Sequence, residues 1–325
     1  MSNDDVYINS VAHYLGPKTM NVDDSAAAGD LVSSAEALKQ AGFCTHHTCP
    51  PDVSAYDLAR GATSALVQAQ PNNNASLHDC QAILYSTCLP LNGNMGSSEE
   101  YNSSRDVKHL MDFPASHLQA DFEMTNAMVM GLNQQACTSM ISTLRVAQAL
   151  MLSDKHIGKV LCLTSDRFPH GARYEQAYNL ISDGAAACLL SHKPQGYKII
   201  GCHHITNGAM AQASDDETAG FYFNYTHQLI TETLDRYGLA MDDIQWIVPQ
   251  NTNLKAWQIL ASLLHFDRER VLAPSMAEVG HCISGDNIIN LKYAESLDCM
   301  ELGDKVLMTM AGFGLNWACI VMEKV

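Results

Sequence analysis

Residues 137–190 and 282–322 of this chain carry the same short pattern. A duplication of this size restricts the fold to two similar halves packed together, with a site where they meet. The first copy reads Ala136-Cys137-Thr138-Ser139, then a helical stretch, then the strand-like run Lys159 to Thr164, then Ala187-Cys188-Leu189-Leu190. The second reads His281-Cys282-Ile283-Ser284, a helical stretch, Lys305 to Met310, then Ala318-Cys319-Ile320-Val321. The spacing is 22 residues from Cys137 to Lys159 and 23 from Cys282 to Lys305. Cysteine to cysteine it is 51 residues from Cys137 to Cys188 and 37 from Cys282 to Cys319, so the first copy carries a longer insertion. Cys282 reads as the duplicate of Cys137, and each half brings a reactive type of residue to the junction, Cys137 from one and His281 from the other.

The strands and helices alternate. Tyr7 to Ala12 reads as an opening strand that turns at Gly16-Pro17. Ser54 to Gln70 has helical spacing after a Ser/Asp-rich start, and Ala82 to Thr87 is a buried strand. Residues 138–151 are too apolar for a surface helix. Asn224 to Tyr237 is an amphipathic helix leading into the strand Trp246-Ile247-Val248, which Pro249 ends. Gln70 to Asn74 is a loop. This alternation predicts a layered α/β fold, with halves at 1–193 and 194–325 and no linker long enough to separate them. A hydrophobic content of 47% can fill such a core.

The charge count, 19 basic against 35 acidic residues, gives −16. This speaks against a nucleic-acid partner, which needs clustered Lys and Arg. The acidic start, Met1 to Asp5, lacks the apolar core of a signal peptide. No stretch approaches the ~18 apolar residues of a membrane span. Eleven cysteines, mostly single within apolar runs, are the usage of free thiols in a reducing compartment. A cytoplasmic protein with no membrane partner is expected.

Cys137 lies between a strand-like segment, Ala127 to Leu132, and the N-terminus of the apolar helix. The positive end of the helix dipole and unpaired backbone N–H groups favour its thiolate there, and the same N–H groups can bind an oxyanion. The competing reading is a small buried hydrophobe.

Gln135 to Ser139, Ile181 to Ala187 and Gly312 to Ala318 together resemble the β-ketoacyl-acyl-carrier-protein synthase III group of the thiolase-fold condensing enzymes. Ser10 to Asn21, Asp57 to Ala59 and Asp243 to Lys255 are similar as well, so the resemblance spans nearly the whole chain. It implies a thiolase-like five-layered α-β-α-β-α fold built from two duplicated halves. It also implies an active-site cysteine that takes an acyl group from a coenzyme A (CoA) or carrier-protein thioester, aided by a His and an Asn. Carried over, Cys137 matches the nucleophile. Gln250 stands where the family's His-Gln-Ala-Asn segment has its histidine, and His281 where the Gly-Asn segment has its asparagine. Phe313 replaces the middle glycine of the C-terminal turn, whose amide helps form the oxyanion hole.

The resemblance therefore implies an acyltransferase. In it, neutral His281 activates the acceptor, Gln250 or Asn253 holds it, and the amides of Cys137 and Phe313 bind the oxyanion. Decarboxylative condensation with a malonyl thioester stays open, since Gln250 and His281 can supply two hydrogen bonds. A catalytically silent partner subunit is the reading from another class. The family is usually homodimeric, and no tightly bound cofactor or metal is expected. Cys44-Thr45-His46-His47-Thr48-Cys49 is set aside as a zinc site, because adjacent histidines rarely reach one ion and no second pair follows; a mobile loop near the active-site entrance is expected instead. Buried packing is expected for Cys282, and no nucleotide-binding loop is present.

Overall fold

A computed structural model describes residues 5–69, 77–90, 97–177 and 179–325. The loop expected at Gln70 to Asn74 and the residues Met1 to Asp4 lie outside them.

Nine strands form the main sheet: β1 (Tyr7–Leu15), β2 (Ala82–Ser86), β3 (Met128–Leu132), β4 (Lys159–Asp166), β5 (Gly184–Ser191), β6 (Tyr197–Thr206), β7 (Trp246–Pro249), β8 (Lys305–Gly312) and β9 (Asn316–Lys324). Their order is β7-β8-β9-β6-β1-β5-β4-β2-β3. β1 and β6 pair only at Tyr7↔Lys198 and Ile8↔Tyr197, so this is two half-sheets hinged at one corner. One half runs β2 parallel to β4, then β5 and β1 antiparallel; the other runs β7 parallel to β8, then β9 and β6 antiparallel. The sequence duplication is thus a duplication of topology. The first half adds β3 at its edge.

Six helices complete the layers: α1 (Ala55–Gln68), α2 (Pro114–Asp121), α3 (Ser139–Ser153), α4 (Asp215–Arg236), α5 (Leu254–Leu263) and α6 (Asp286–Leu297). Side chains alternate across each strand, and both faces are covered. In β4, Leu161 and Leu163 face outward to Leu58 and Leu66 of α1 and Leu118 of α2, whereas Val160 and Cys162 face inward. In β8, Leu307 packs outward with Leu229 and Ile230 of α4 and Leu260 of α5, while Val306 and Met308 face inward. The two inward faces share Met140, Ile141 and Leu144 of α3 and Ile288, Ile289 and Leu291 of α6. The architecture is α-β-α-β-α, and the apolar helix after Cys137 belongs to the central layer.

α4 begins nine residues before the helix expected from Asn224. Ser214 accepts from the Glu217 N–H while Glu217 accepts from the Ser214 N–H, a capping box followed by an acidic first turn. The mobile loop expected around Cys44 to Cys49 is overturned. Thr45–Thr48 is a strand antiparallel to Lys18–Asn21, and His46 is buried, bonded to Ser25 Oγ at 2.7 Å and to the Ile181 carbonyl at 2.8 Å. Four polar residues conceal this strand from hydropathy, because a small hydrogen-bonded core takes the place of an apolar one.

The register of the duplication also needs correction. A non-glycine residue with positive φ opens the 3₁₀ turn before each central helix, Ala136 at +43° and Ile283 at +45°. Cys137 therefore corresponds to Ser284. Cys282 lies two residues earlier, and matching cysteine to cysteine misplaced it. It is buried, and the fold leaves no spare room around it: a Cβ on Gly184 would lie 2.5 Å from its sulfur and 3.3 Å from the Tyr14 carbonyl. Gly184→Ala is expected to cost roughly 1–3 kcal/mol in urea unfolding. Most of that cost should disappear when it is measured in a Cys282→Ala background, since the two changes share one contact.

Candidate active site

Cys137 sits in the 3₁₀ turn Ala136–Thr138, directly before α3. At the strained Ala136 the chain turns, and Cys137 lines a cavity of about 700 Å³ while also packing against the core. The end of β8 comes so close that a Cβ on Gly312 would lie 2.7 Å from the Cys137 nitrogen. Only glycine fits there. Neither the Cys137 N–H nor the Phe313 N–H has an acceptor among the described residues, and both residues line the cavity.

His281 reaches Cys137 from the other half. Its ring is buried and in hydrogen-bonding contact with the Cys137 sulfur, and its Nδ1 donates to Asp286 Oδ2 at 2.5 Å. Asp286 is the first residue of α6, fully buried. It also accepts from the Asn251 N–H at 2.7 Å and the Cys282 N–H at 2.6 Å. Cysteine, imidazole and carboxylate thus stand in line, the third group orienting the second. Reading the sequence missed Asp286. Its position as the first acid of a helix gave it an ordinary explanation.

Two more residues were missed. Cys88, two positions beyond β2, is in thiol hydrogen-bonding contact with Cys137. Asp166, at the end of β4, holds it there: its Oδ1 accepts from Thr87 Oγ1 at 2.7 Å, from the Cys88 N–H at 2.8 Å and from the Leu89 N–H at 3.3 Å. Burial raises Asp166 to about 7, against these hydrogen bonds.

The electrostatics of the centre follow from these contacts. The hydrogen bond from Cys88, together with the hydrogen bond and charge of His281, brings Cys137 down to about 5 despite burial. Burial pulls His281 down, but the charge and hydrogen bond of Asp286 and the bond to Cys137 overcome it and raise the ring to about 10. The neutral His281 expected from sequence is therefore corrected for the resting site. There it is an imidazolium beside a thiolate, because a buried carboxylate stands behind it. Burial raises Cys282 well above the ordinary thiol range.

Gln250 is brought to the cavity wall, with its Oε1 fixed by the Ala311 N–H at 2.5 Å and its Nε2 left to donate. Asn253 lines the cavity as well, but its Oδ1 caps α5 through the Lys255 N–H. Phe313 is exposed at the cavity rim. The 14 additional residues of the first copy are accounted for by the connection from β4 to β5, which supplies Phe168, Pro169, Ala172 and Asn179 to the wall. Tyr222 and Phe223 of α4 face them. Lys255 is the one lysine or arginine among the described residues that line the cavity. No cluster of three or more metal-ligating side chains occurs among the described residues.

Comparison with known proteins agrees with this geometry. Residues 133–208 match the family model of 3-oxoacyl-[acyl-carrier-protein] synthase III, and residues 234–324 match the model of its C-terminal part. The two together take in just over half of the chain. This chain belongs to the 3-oxoacyl-[acyl-carrier-protein] synthase III family. The Ruegeria pomeroyi β-ketoacyl-[acyl-carrier-protein] synthase III is 23% identical, over 97% of this chain and 98% of its own length. The Chlamydia caviae β-ketoacyl-[acyl-carrier-protein] synthase III is 25% identical, but the match takes in 58% of this chain and only 65% of that relative. Among solved structures, ChlB3, described as an acyltransferase, superposes with a TM-score of 0.81 at 18% identity, covering 99% of this chain and 98% of that one. As a synthase III family member the chain has the thiolase-like fold.

The ion pair makes a direct prediction. Alkylation of Cys137 by iodoacetamide requires the thiolate, so its rate should be flat at neutral pH and fall as pH drops through about 5. Asp286→Asn removes the charge that keeps His281 protonated. The alkylation midpoint should then rise by about a unit or more. A midpoint that stays put or falls would refute the relay.

Proposed function

We propose that this protein is an acyltransferase that carries an acyl group from a CoA or carrier-protein thioester, through a thioester on Cys137, to a nucleophilic acceptor. The observation that carries this reading is the carboxylate-backed imidazole on the Cys137 sulfur. The Cys137 thiolate attacks the donor carbonyl, with the oxyanion received by the N–H groups of Cys137 and Phe313. The C–S bond to the carrier breaks, and His281 gives its proton to the leaving thiolate. The acyl-enzyme then holds no thiolate, and His281 is neutral. It now removes the proton of the acceptor as that atom attacks the Cys137 thioester, and collapse returns thiolate and imidazolium. The neutral base inferred from sequence thus belongs to the second half of the cycle.

Gln250 Nε2 suits a carbonyl of donor or acceptor, while Asn253, committed to its helix cap, has less to offer. An exposed Lys255 at the rim suits the phosphate of a phosphopantetheine arm. Condensation with a malonyl thioester is the second reading, supported by the family's name and by the two donors Gln250 and His281. A silent partner subunit is disfavoured, since such a protein has no need of a thiolate beside an open cavity. No metal or bound cofactor enters this scheme. Eleven free thiols support a reducing, cytoplasmic setting.

A homodimer is part of the proposal. β3 is the edge strand of its half-sheet, and Met128, Val129 and Met130 are exposed on it. An apolar open edge invites pairing with the same edge of a second copy. Met130→Arg should leave a monomer in sedimentation equilibrium.

Intact mass after incubation with a panel of acyl and malonyl thioesters tests the chemistry. An acyl adduct should form on the protein and be absent from Cys137→Ala. His281→Ala should slow discharge to an acceptor by about 10²–10⁴-fold. No adduct from any donor would overturn the proposal, and carbon dioxide released from a malonyl thioester would establish condensation in its place.

A further inference from the structure

Acyl transfer by Cys137 and His281 has no need of a second thiol, yet Cys88 stands beside the nucleophile on the same cavity wall. Its position is specified by three hydrogen bonds from consecutive residues, Thr87 to Leu89, to one buried carboxylate oxygen of Asp166. A second thiol pair in the chain shows what mere packing looks like. Cys162 and Cys188 lie opposite each other on β4 and β5 and are also in contact, but both are fully buried. Neither sulfur there is accessible to an oxidant. Cys88 and Cys137, by contrast, are half-buried and open onto the cavity.

We propose that Cys88 and Cys137 form a peroxide-sensitive pair, in which Cys88 resolves a sulfenic acid on Cys137 into a reversible disulfide that withdraws the nucleophile. The Cys137 thiolate attacks hydrogen peroxide: an S–O bond forms, the O–O bond breaks, and the released hydroxide takes the His281 proton to become water. The Cys88 sulfur then attacks the sulfenic sulfur. The S–S bond forms, the S–O bond breaks, and hydroxide leaves with the Cys88 proton as a second water. Two thiols are oxidised and one peroxide is reduced. Further oxidation of Cys137 to the irreversible sulfinic acid is thereby pre-empted.

The thiol chemistry stands on the place of the two cysteines on one cavity wall and on the anchoring of Cys88 by Asp166, whereas its consequence for turnover rests on the acyl-enzyme reading. Reduced full-length protein is treated with a small molar excess of hydrogen peroxide, denatured in N-ethylmaleimide and measured by intact mass and peptide mapping. The expected result is two fewer maleimide adducts and a peptide joining Cys88 to Cys137, both reversed by dithiothreitol. In Cys88→Ser the crosslink is absent and Cys137 sulfinic acid accumulates. Wild-type protein whose Cys137 reaches sulfinic acid as fast as in Cys88→Ser, with Cys88 alkylated, would overturn the proposal. Should the variant not fold, the wild-type peptide map decides alone. A disulfide in a protein that takes no acyl group would sink the acyl-transfer reading and leave the pair standing; acylation without any disulfide would do the reverse.

Discussion

One buried carboxylate organises this centre. Asp286 is removed from water, and a charge in that position is tolerated only when donors surround it. Its three donors come from two different segments: the ring of His281 and the N–H of Cys282 from one, and the N–H of Asn251 from the other. The start of α6 adds the positive end of a helix. Moving any of these segments would leave the charge without a partner, so the loop after β7 and the loop before α6 are held in one arrangement. The imidazole is held with them. Cys137 needs no link to this network beyond the ring itself, since the close approach of Gly312 places it from the other side.

A polar network extends this constraint into the core. Asn251 Nδ2 donates to Ser275 Oγ and to the Gly280 carbonyl, and Asn290 of α6 bonds to Asn251, Ser275 and the Pro249 carbonyl. Asn287, one turn earlier, donates to the carbonyls of Val248 in β7 and Thr309 in β8. The same helix that supplies the carboxylate therefore grips the strand ends from which Gln250 and the Gly312 turn emerge. Fold and site share these bonds, and a buried network of this kind favours one geometry.

The legible part of the sequence was the part encoded locally. Strands covered on both faces, such as Val160 to Thr164 and Val306 to Met310, announce themselves as apolar runs. Cys137 could be found because a helix too apolar for the surface begins directly after it. His281 came from its place in a family segment. The residues that escaped notice act across the fold. Asp286 has an ordinary local explanation as a helix's first acid. Cys88 follows a different element from the turn that carries Cys137, and Asp166 lies just beyond the run Lys159 to Thr164 that reads as plain strand. The polar strand at Thr45 to Thr48 escaped for a related reason, because hydrogen bonds rather than hydropathy bury His46. The duplication was visible, but its register was not, since identity of cysteines is a weaker guide than the strained residue opening each turn.

The displaced histidine has a consistent physical logic. On the loop after β7, the side-chain position of residue 250 is tied to the Ala311 N–H, which demands an acceptor and leaves a donor over. A glutamine satisfies both demands without titrating. On the loop before α6, residue 281 lies five residues ahead of an acid, close enough for its ring to reach that carboxylate and far enough for the other ring nitrogen to reach sulfur. A neutral asparagine there could donate to a thioester oxygen, but it could neither hold a proton nor release one. With histidine in its place, the proton that activates the thiol, leaves with the carrier and returns from the acceptor has a single station throughout. In the proposed cycle, donation to a carbonyl falls to Gln250 and proton transfer to His281. This division suits transfer of an acyl group to a protic acceptor better than stabilisation of an enolate, which asks both side chains for the same thing.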